Sequence, residues 1–352
     1  VLNIIEVSLD QLTERQERLL ALIVHEYVEL ANPVGSNHIV EKFNLGISSA
    51  TVRNEMSSLT EAGLLRQPHT SAGRVPTEKG YRYFVRTQLS DSDLPNAEKR
   101  MISHQFHQAP AEIEEWVRLA ASVLAQQSRV ASLVTVPKPS TAFFKHLELI
   151  ATQGQHVLMV LVLQGGDLRQ QMLTLKESYE QGYLTKVASV INQIALGKGA
   201  DEISDLIESQ SDLAADILRL LSELMGRADE ERTGHIYRDG LTNVLAQPEF
   251  SDSDSARSAL RLLEEHSFLE DVLVSVLSPS IGGVQVVIGG EGAWEELKDC
   301  SIVLSRYGAP GTVTGAVGVL GPTRMAYGRS ISAVRYVANL LSTLVVDIYT
   351  GS

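Results

Sequence analysis

The 352-residue chain predicts an α+β protein of several domains. Three observations predict it. Across residues 14–89 the apolar spacing is helical, except for one turn-rich segment containing Pro68 and Pro76. From Val130 the period shortens, and two groups of strand-like segments follow, over 130–175 and 284–320. Between them, residues 176–233 return to helical spacing and read as an insertion between strands of one antiparallel sheet.

The N-terminal elements follow from local signals. Leu19–Leu20, Ile23–Val24, Tyr27–Val28 and Ala31 give a first helix over Glu14–Leu30, which Asn32-Pro33 ends. Ser36 caps a short second helix to Phe43, and Leu45-Gly46 turns into a third. Ser48 or Ser49 opens that third helix, because a hydroxyl there can accept from the free N–H groups of the first turn. Val52, Met56 and Leu59 face the core, while Thr51, Arg53, Asn54, Ser57 and Ser58 face outward. Gly63 stops the helix, and Leu64–Leu65 begins a strand. Gln67–Thr77 forms a hairpin in which Gly73 takes a positive φ. Thr77 then caps a basic helix, Glu78–Leu89, carrying Lys79, Arg82 and Arg86.

A helix, a hairpin and a basic helix in that order describe a winged helix-turn-helix, and the side chains suit DNA. Ser48, Ser49 and Ala50 make a slim helix end able to approach a major groove. Arg53 and Asn54 carry the donors and acceptors that read guanine and adenine edges, with Thr51 beside them. His69, Thr70 and Ser71, with Gly73, form a wing offering short donors to phosphate. Arg74 is expected to reach a phosphate or the minor groove, and Lys79 and Arg82 to lie near the DNA backbone. The net charge of −13 opposes a nucleic-acid partner only in sum. Residues 51–88 hold six Arg and Lys against three acids, and DNA responds to the local patch.

Three motifs in this region, PVGS (Pro33–Ser36), SSATVRNEM (Ser48–Met56) and QPHTSAGRVPTEKGYRYFV (Gln67–Val85), resemble the HrcA family of heat-inducible transcription repressors. The glycine-rich tail Gly308–Gly315 and Gly318–Tyr327 resembles the same family, so the likeness spans essentially the whole chain. Asn32 before Pro33 and Gly328 after Tyr327 depart from its pattern at turns and helix starts. The resemblance implies a winged helix-turn-helix over 1–89, a linker over 90–110, a GAF-like domain over 111–175 and 234–352, and an inserted dimerisation domain over 176–233. It further implies a cytoplasmic homodimer on double-stranded DNA, at the CIRCE inverted-repeat operator before groE and dnaK operons. The GroEL chaperonin would modulate it. In the insertion, the stripes Leu184/Val187/Ile191 and Leu213/Ile217/Leu220 either cover each other or meet a second copy of the chain. An alternative is a winged-helix repressor switched by a small molecule in the GAF-like domain.

Other chemistry is not legible. The lone Cys300 excludes an intramolecular disulfide and fits a reducing compartment. The first residues lack the basic and apolar regions of a signal peptide. The longest apolar run, Val157–Leu163, is too short to span a bilayer, so no membrane partner is expected. His104 and His107 are expected to be a surface pair rather than metal ligands, and Gly289–Gly292 a turn rather than a phosphate loop. Glu264–Glu265 beside His266 reads as a charged helical face, in a helix expected over 255–265. No nucleophile, base and orienter assemble, so no enzyme, cofactor or metal is expected.

Overall fold

The computed structural model describes residues 12–70, 72–88, 93–139, 141–164, 167–210, 212–230, 234–251, 261, 265–277, 281–289, 294, 297–309 and 312–350. Ser71, Gly290–Gly292 and nearly all of the helix expected over 255–265 lie outside them. The chain forms two compact units, Val1–Pro137 with His235–Ala309 and Gly315–Ser352, and Lys138–Gly234 with Pro310–Thr314.

The first unit opens with α1, Glu14–Leu30, whose Thr13 and Gln16 form a reciprocal capping box. Helix α2, Ser36–Phe43, starts one residue earlier than expected, with Gly35 rather than Ser36 at the cap. Helix α3 runs Ser49–Glu61, followed by β1, Leu65–Arg66, β2, Val75–Pro76, and α4, Glu78–Gln88. Leu20, Ile23, Ile39, Val52, Leu59 and Val85 make the core of this module, each almost fully buried. Glu26 of α1 is also buried, with His38 Nε2 at 2.6 Å and Lys42 Nζ at 2.5 Å, both from α2. Burial would raise the Glu26 pKa, but the hydrogen bonds from Lys42 and His38 outweigh it and hold the carboxyl below its ordinary value.

Residues 96–108, expected within a linker, form helix α5, Asn96–Gln108. Ile102 and Phe106, one turn apart, are buried, and that stripe is enough to hold a helix. His104 and His107 are both exposed on it, and His107 Nδ1 lies 2.7 Å from the Ser103 carbonyl. Helix α6, Ile113–Ser128, leads into β3, Ala131–Thr135. In the main sheet β3 lies between β8, Ile236–Asp239, and β11, Val313–Pro322. Beyond β11 come β10, Cys300–Ala309, and β9, Val284–Ile288. The pairs β3–β8, β3–β11 and β9–β10 are antiparallel. The last helix, α10, Tyr327–Thr350, packs on β10 and α6. Its Ile331, Val334, Val337, Leu341 and Val345 are buried, contributing roughly 1.5–3 kcal/mol each. By length and composition this helix could cross a membrane, unlike the shorter uninterrupted run singled out in the sequence. Here its apolar face covers the sheet.

The expectation of one sheet holding both strand groups is corrected. Among the described residues, strands β5, Phe144–Ala151, β6, His156–Leu163, and β7, Leu168–Thr174, pair only with one another, as an antiparallel sheet of the second unit. Short hairpins let each strand find its sequence neighbour. The insertion therefore begins near Lys138, where β4, Lys138–Pro139, pairs with Val313–Thr314, and not at Lys176. Helices α7, Gln181–Ala195, α8, Ala200–Leu206, and α9, Asp212–Glu230, complete the unit. Leu184, Val187, Ile191, Leu213 and Ile217 are buried in one core with Leu147, Met159 and Leu161 of the sheet, and Leu220 packs partly buried against it. Those stripes thus cover the chain's own sheet and are not available as a dimer surface. Helix α7 runs along β5, where Asn192 bonds the Leu147 backbone, and α9 packs on α7 and α8, partners that amphipathic spacing alone does not reveal.

Candidate nucleic-acid interface

The reading head is set by local bonds. Ser48 Oγ accepts from the Thr51 backbone N–H at 3.1 Å and lies 2.9 Å from the Thr51 hydroxyl, which fixes the start of α3. Ser48 and Ala50 are exposed there, with Ser49 and Thr51 half-buried. Val52, Met56 and Leu59 turn inward, so helical geometry turns Arg53 and Asn54 outward. Both are exposed, and neither side chain is bonded by another described residue. This end of α3 therefore presents small residues, free helix N–H groups and two side chains able to form bidentate bonds to base edges.

The wing is braced from behind. Leu65 pairs with Pro76 and Arg66 with Val75, and Gln67 Nε2 donates to the carbonyls of Thr70 at 2.8 Å and Ala72 at 3.0 Å. His69 and Thr70 are exposed at the turn. Gly73 does not take the expected positive φ. A Cβ there would lie 2.3 Å from the Val34 carbonyl oxygen, so glycine is needed for close backbone approach. That approach lets Val34 and Arg74 exchange backbone hydrogen bonds, each 2.9 Å, and seats the wing on the residue before the α2 cap.

Three expected phosphate contacts point elsewhere. Arg74 Nε donates to Thr60 Oγ1 at 3.1 Å, joining the wing base to α3 rather than reaching from its tip. Lys79 Nζ donates to the Ala62 carbonyl at 2.9 Å, a cation at the C-terminal end of α3 where its dipole is favourable. Arg82 donates to Glu78 at 3.0 Å and to the Ile288 carbonyl of β9 at 3.1 Å, so it faces the main sheet. Long side chains go where the fold offers an acceptor, and sequence spacing does not name that acceptor.

Sequence reasoning missed the residues that dock the head on the sheet domain. Arg324 donates to the Val28 carbonyl of α1 at 3.0 Å and to Gln247 at 2.9 Å, and its guanidinium forks onto Glu249. Tyr81 and Tyr327 meet with ring centroids 5.7 Å apart. An arginine inside the tail motif was the available signal.

Small residues and an Arg–Asn pair at the start of a helix, beside a braced two-stranded wing, define a DNA-binding protein of the winged helix-turn-helix class. Residues 11–90 match the family model described as the winged helix-turn-helix transcription repressor, HrcA DNA-binding domain. Residues 114–331 match the HrcA protein C-terminal domain. Relatives named heat-inducible transcription repressor HrcA are 42% identical in Roseiflexus castenholzii and 43% in Herpetosiphon aurantiacus, each covering 96% of this chain and 96% and 97% of their own. A solved structure described as a hypothetical protein at 2.2 Å resolution matches 96% of this chain and 99% of its own, with TM-score 0.62 at 24% identity, which shows a shared fold alone. The chain belongs to the HrcA family, a family of transcription repressors and not of enzymes.

Proposed function

We propose that the chain represses heat-shock chaperone operons as a homodimer on the CIRCE inverted repeat, with GroEL favouring the active form. The observation that carries this reading is the exposed, unengaged Arg53–Asn54 pair beside the small N-terminal residues of α3. Ser48, Ser49, Ala50, Thr51, Arg53 and Asn54 read bases and neighbouring phosphates, and His69 and Thr70 carry the wing contact. Repression needs occupancy that blocks polymerase and no catalysis. Two-fold symmetry presents two heads to two half-sites, which is the match to an inverted repeat.

The dimer surface proposed is the outer face of the β5–β6–β7 sheet. Alternation buries Val157, Met159 and Leu161 against the helices and leaves Leu158, Val160 and Val162 on the other face. Ile150, Leu168 and Met172 flank them in register and are 43%, 51% and 56% exposed. Such an apolar sheet face is suited to a second copy of itself.

Fluorescence anisotropy with a CIRCE duplex and a scrambled duplex, at several salt concentrations and with and without GroEL, tests the reading. Preference for the inverted repeat, strengthened by chaperonin, is expected. Specific binding indifferent to GroEL would remove the chaperonin, and equal affinity for both duplexes would remove the operator.

A further inference from the structure

Within the first unit, the contacts between the winged helix and the main-sheet domain gather at one guanidinium. Arg324 lies in the turn between β11 and α10, and that turn is pinned by its own bonds. The Thr323 N–H donates to the Asp299 carbonyl at 3.1 Å. The Tyr327 hydroxyl donates to the Thr323 carbonyl at 2.6 Å and lies 2.8 Å from Ser301 Oγ. From this fixed base the Arg324 side chain, 11% exposed, reaches acceptors on both domains. It donates to the Val28 carbonyl of the head at 3.0 Å, to Gln247 Oε1 at 2.9 Å and, through two nitrogens, to Glu249. Gln247 is itself held, since its Nε2 donates to the Asn243 carbonyl at 3.2 Å.

Helix α1 has its own need for this cation. Carbonyls in the last turn of a helix lack intrahelical partners and carry the negative end of the dipole. No basic residue stands in the last turn of α1, so Arg324 supplies that charge from the sheet domain. A planar fork of donors fixes direction as well as charge, which a lysine ammonium does not. Two contacts from α4 stand beside it, the Tyr81 ring against Tyr327 and Arg82 on the Ile288 carbonyl. The head is thus held at α1 and at α4, which sets its rotation, while Arg53 and Asn54 of α3 stay exposed.

We propose that Arg324 is a positioning residue for operator binding: by fixing how the head is turned on the sheet domain, it sets the half-site spacing that the protein accepts. The proposal rests on the reading above of a two-fold dimer on an inverted repeat. In such a dimer both heads must meet their half-sites on one duplex at once. Two base pairs added at the dyad turn one half-site by about 70° around the duplex axis, at about 10–10.5 base pairs per turn. Heads held at a set angle do not follow that rotation. Loosened heads do, but they lose the affinity that preset geometry provides.

Anisotropy with the full chain compares the CIRCE repeat, the same repeat with two base pairs added at its centre, and a single half-site. The native protein is expected to bind the unaltered repeat about tenfold or more tightly than the lengthened one. Arg324→Gln should lose about tenfold on the unaltered repeat and bind the two repeats nearly equally, with half-site affinity unchanged. Arg324→Lys, which keeps a cation opposite Glu249, should do the same, because the fork sets the angle. Indifference of the native protein to the added base pairs overturns the proposal, as does native spacing preference in either variant. Loss of half-site affinity also overturns it, since Arg324 would then support the fold of the head itself. Equal binding of CIRCE and scrambled duplexes by the native protein is the separate failure of the operator reading. Head orientation is therefore also measured without DNA, as the distance between spin labels at Ser58→Cys on α3 and Thr343→Cys on α10, both exposed positions, with labelled chains diluted in unlabelled ones. One narrow distance is expected in the native protein and a broad distribution in Arg324→Gln; equal widths overturn the proposal whatever the operator.

Discussion

Replacing Gly73 with alanine is expected to unseat the wing while leaving α3 folded. The added Cβ would lie 2.3 Å from the Val34 oxygen, 2.4 Å from its carbon and 2.8 Å from the Gly35 nitrogen. All three are backbone atoms, so no rotamer change relieves the overlap and the chain itself must move. That movement breaks the two 2.9 Å bonds between Val34 and Arg74. Overpacking of this kind costs about 1–3 kcal/mol, and each lost bond about 1 kcal/mol more. The wing should therefore open more easily by roughly 3–5 kcal/mol, and 1.4 kcal/mol is about tenfold. Hydrogen exchange at the Val34 and Arg74 amides should accelerate at least about a hundredfold, with the amides of Met56 and Leu59 still protected. Operator affinity should fall as His69 and Thr70 shift. Native protection at Val34 and Arg74 in the alanine variant would refute the reasoning.

Arg53→Ala should weaken operator binding by about 1–3 kcal/mol and relax sequence preference; equal losses on operator and random DNA would argue against base reading. Arg82→Ala, by contrast, should leave the salt dependence of DNA binding unchanged, because this guanidinium bonds the Ile288 carbonyl; a slope shallower by about one unit would return it to the phosphates. Val160→Asp, in the middle of the open sheet face, should give monomers in sedimentation while the separate core of that unit stays folded; an intact dimer would locate the interface elsewhere. Acid should act through Glu26, whose folded pKa lies below its ordinary value of 4.5. The unfolded state then binds more protons than the folded state in acid. The stabilisation is complete above 4.5 and is lost as pH falls through the lower folded value. Glu26→Gln should remove that part of the acid dependence in a denaturation series, and an unaltered dependence would show that other carboxylates set it.

The reading head was legible because its signals are local. Helical spacing marked Val52, Met56 and Leu59 as inward, and Arg53 and Asn54 as outward by the same geometry. Ser48 caps α3 through its own hydroxyl and a backbone N–H three residues away, a bond that needs no distant partner. Turn chemistry explains Gly73 wrongly, since close backbone approach and not a positive φ requires it. Its neighbour Val34 is far along the chain, and only the folded bridge brings the two backbones together.

The winged helix, the two strand groups and the helical character of what lies between them can all be read along the chain. Caps, turn residues and periodicity act within a few residues, so they survive without the fold. Tertiary structure alone decided which strands share a sheet, which helix faces that sheet buries, and where Arg74, Lys79 and Arg82 direct their charge. A strand pairs with any edge that its connections allow, and a long cation bonds the nearest acceptor in space. Both choices are set by distances of about 3 Å between residues that can lie two hundred positions apart, as Arg82 and Ile288 do.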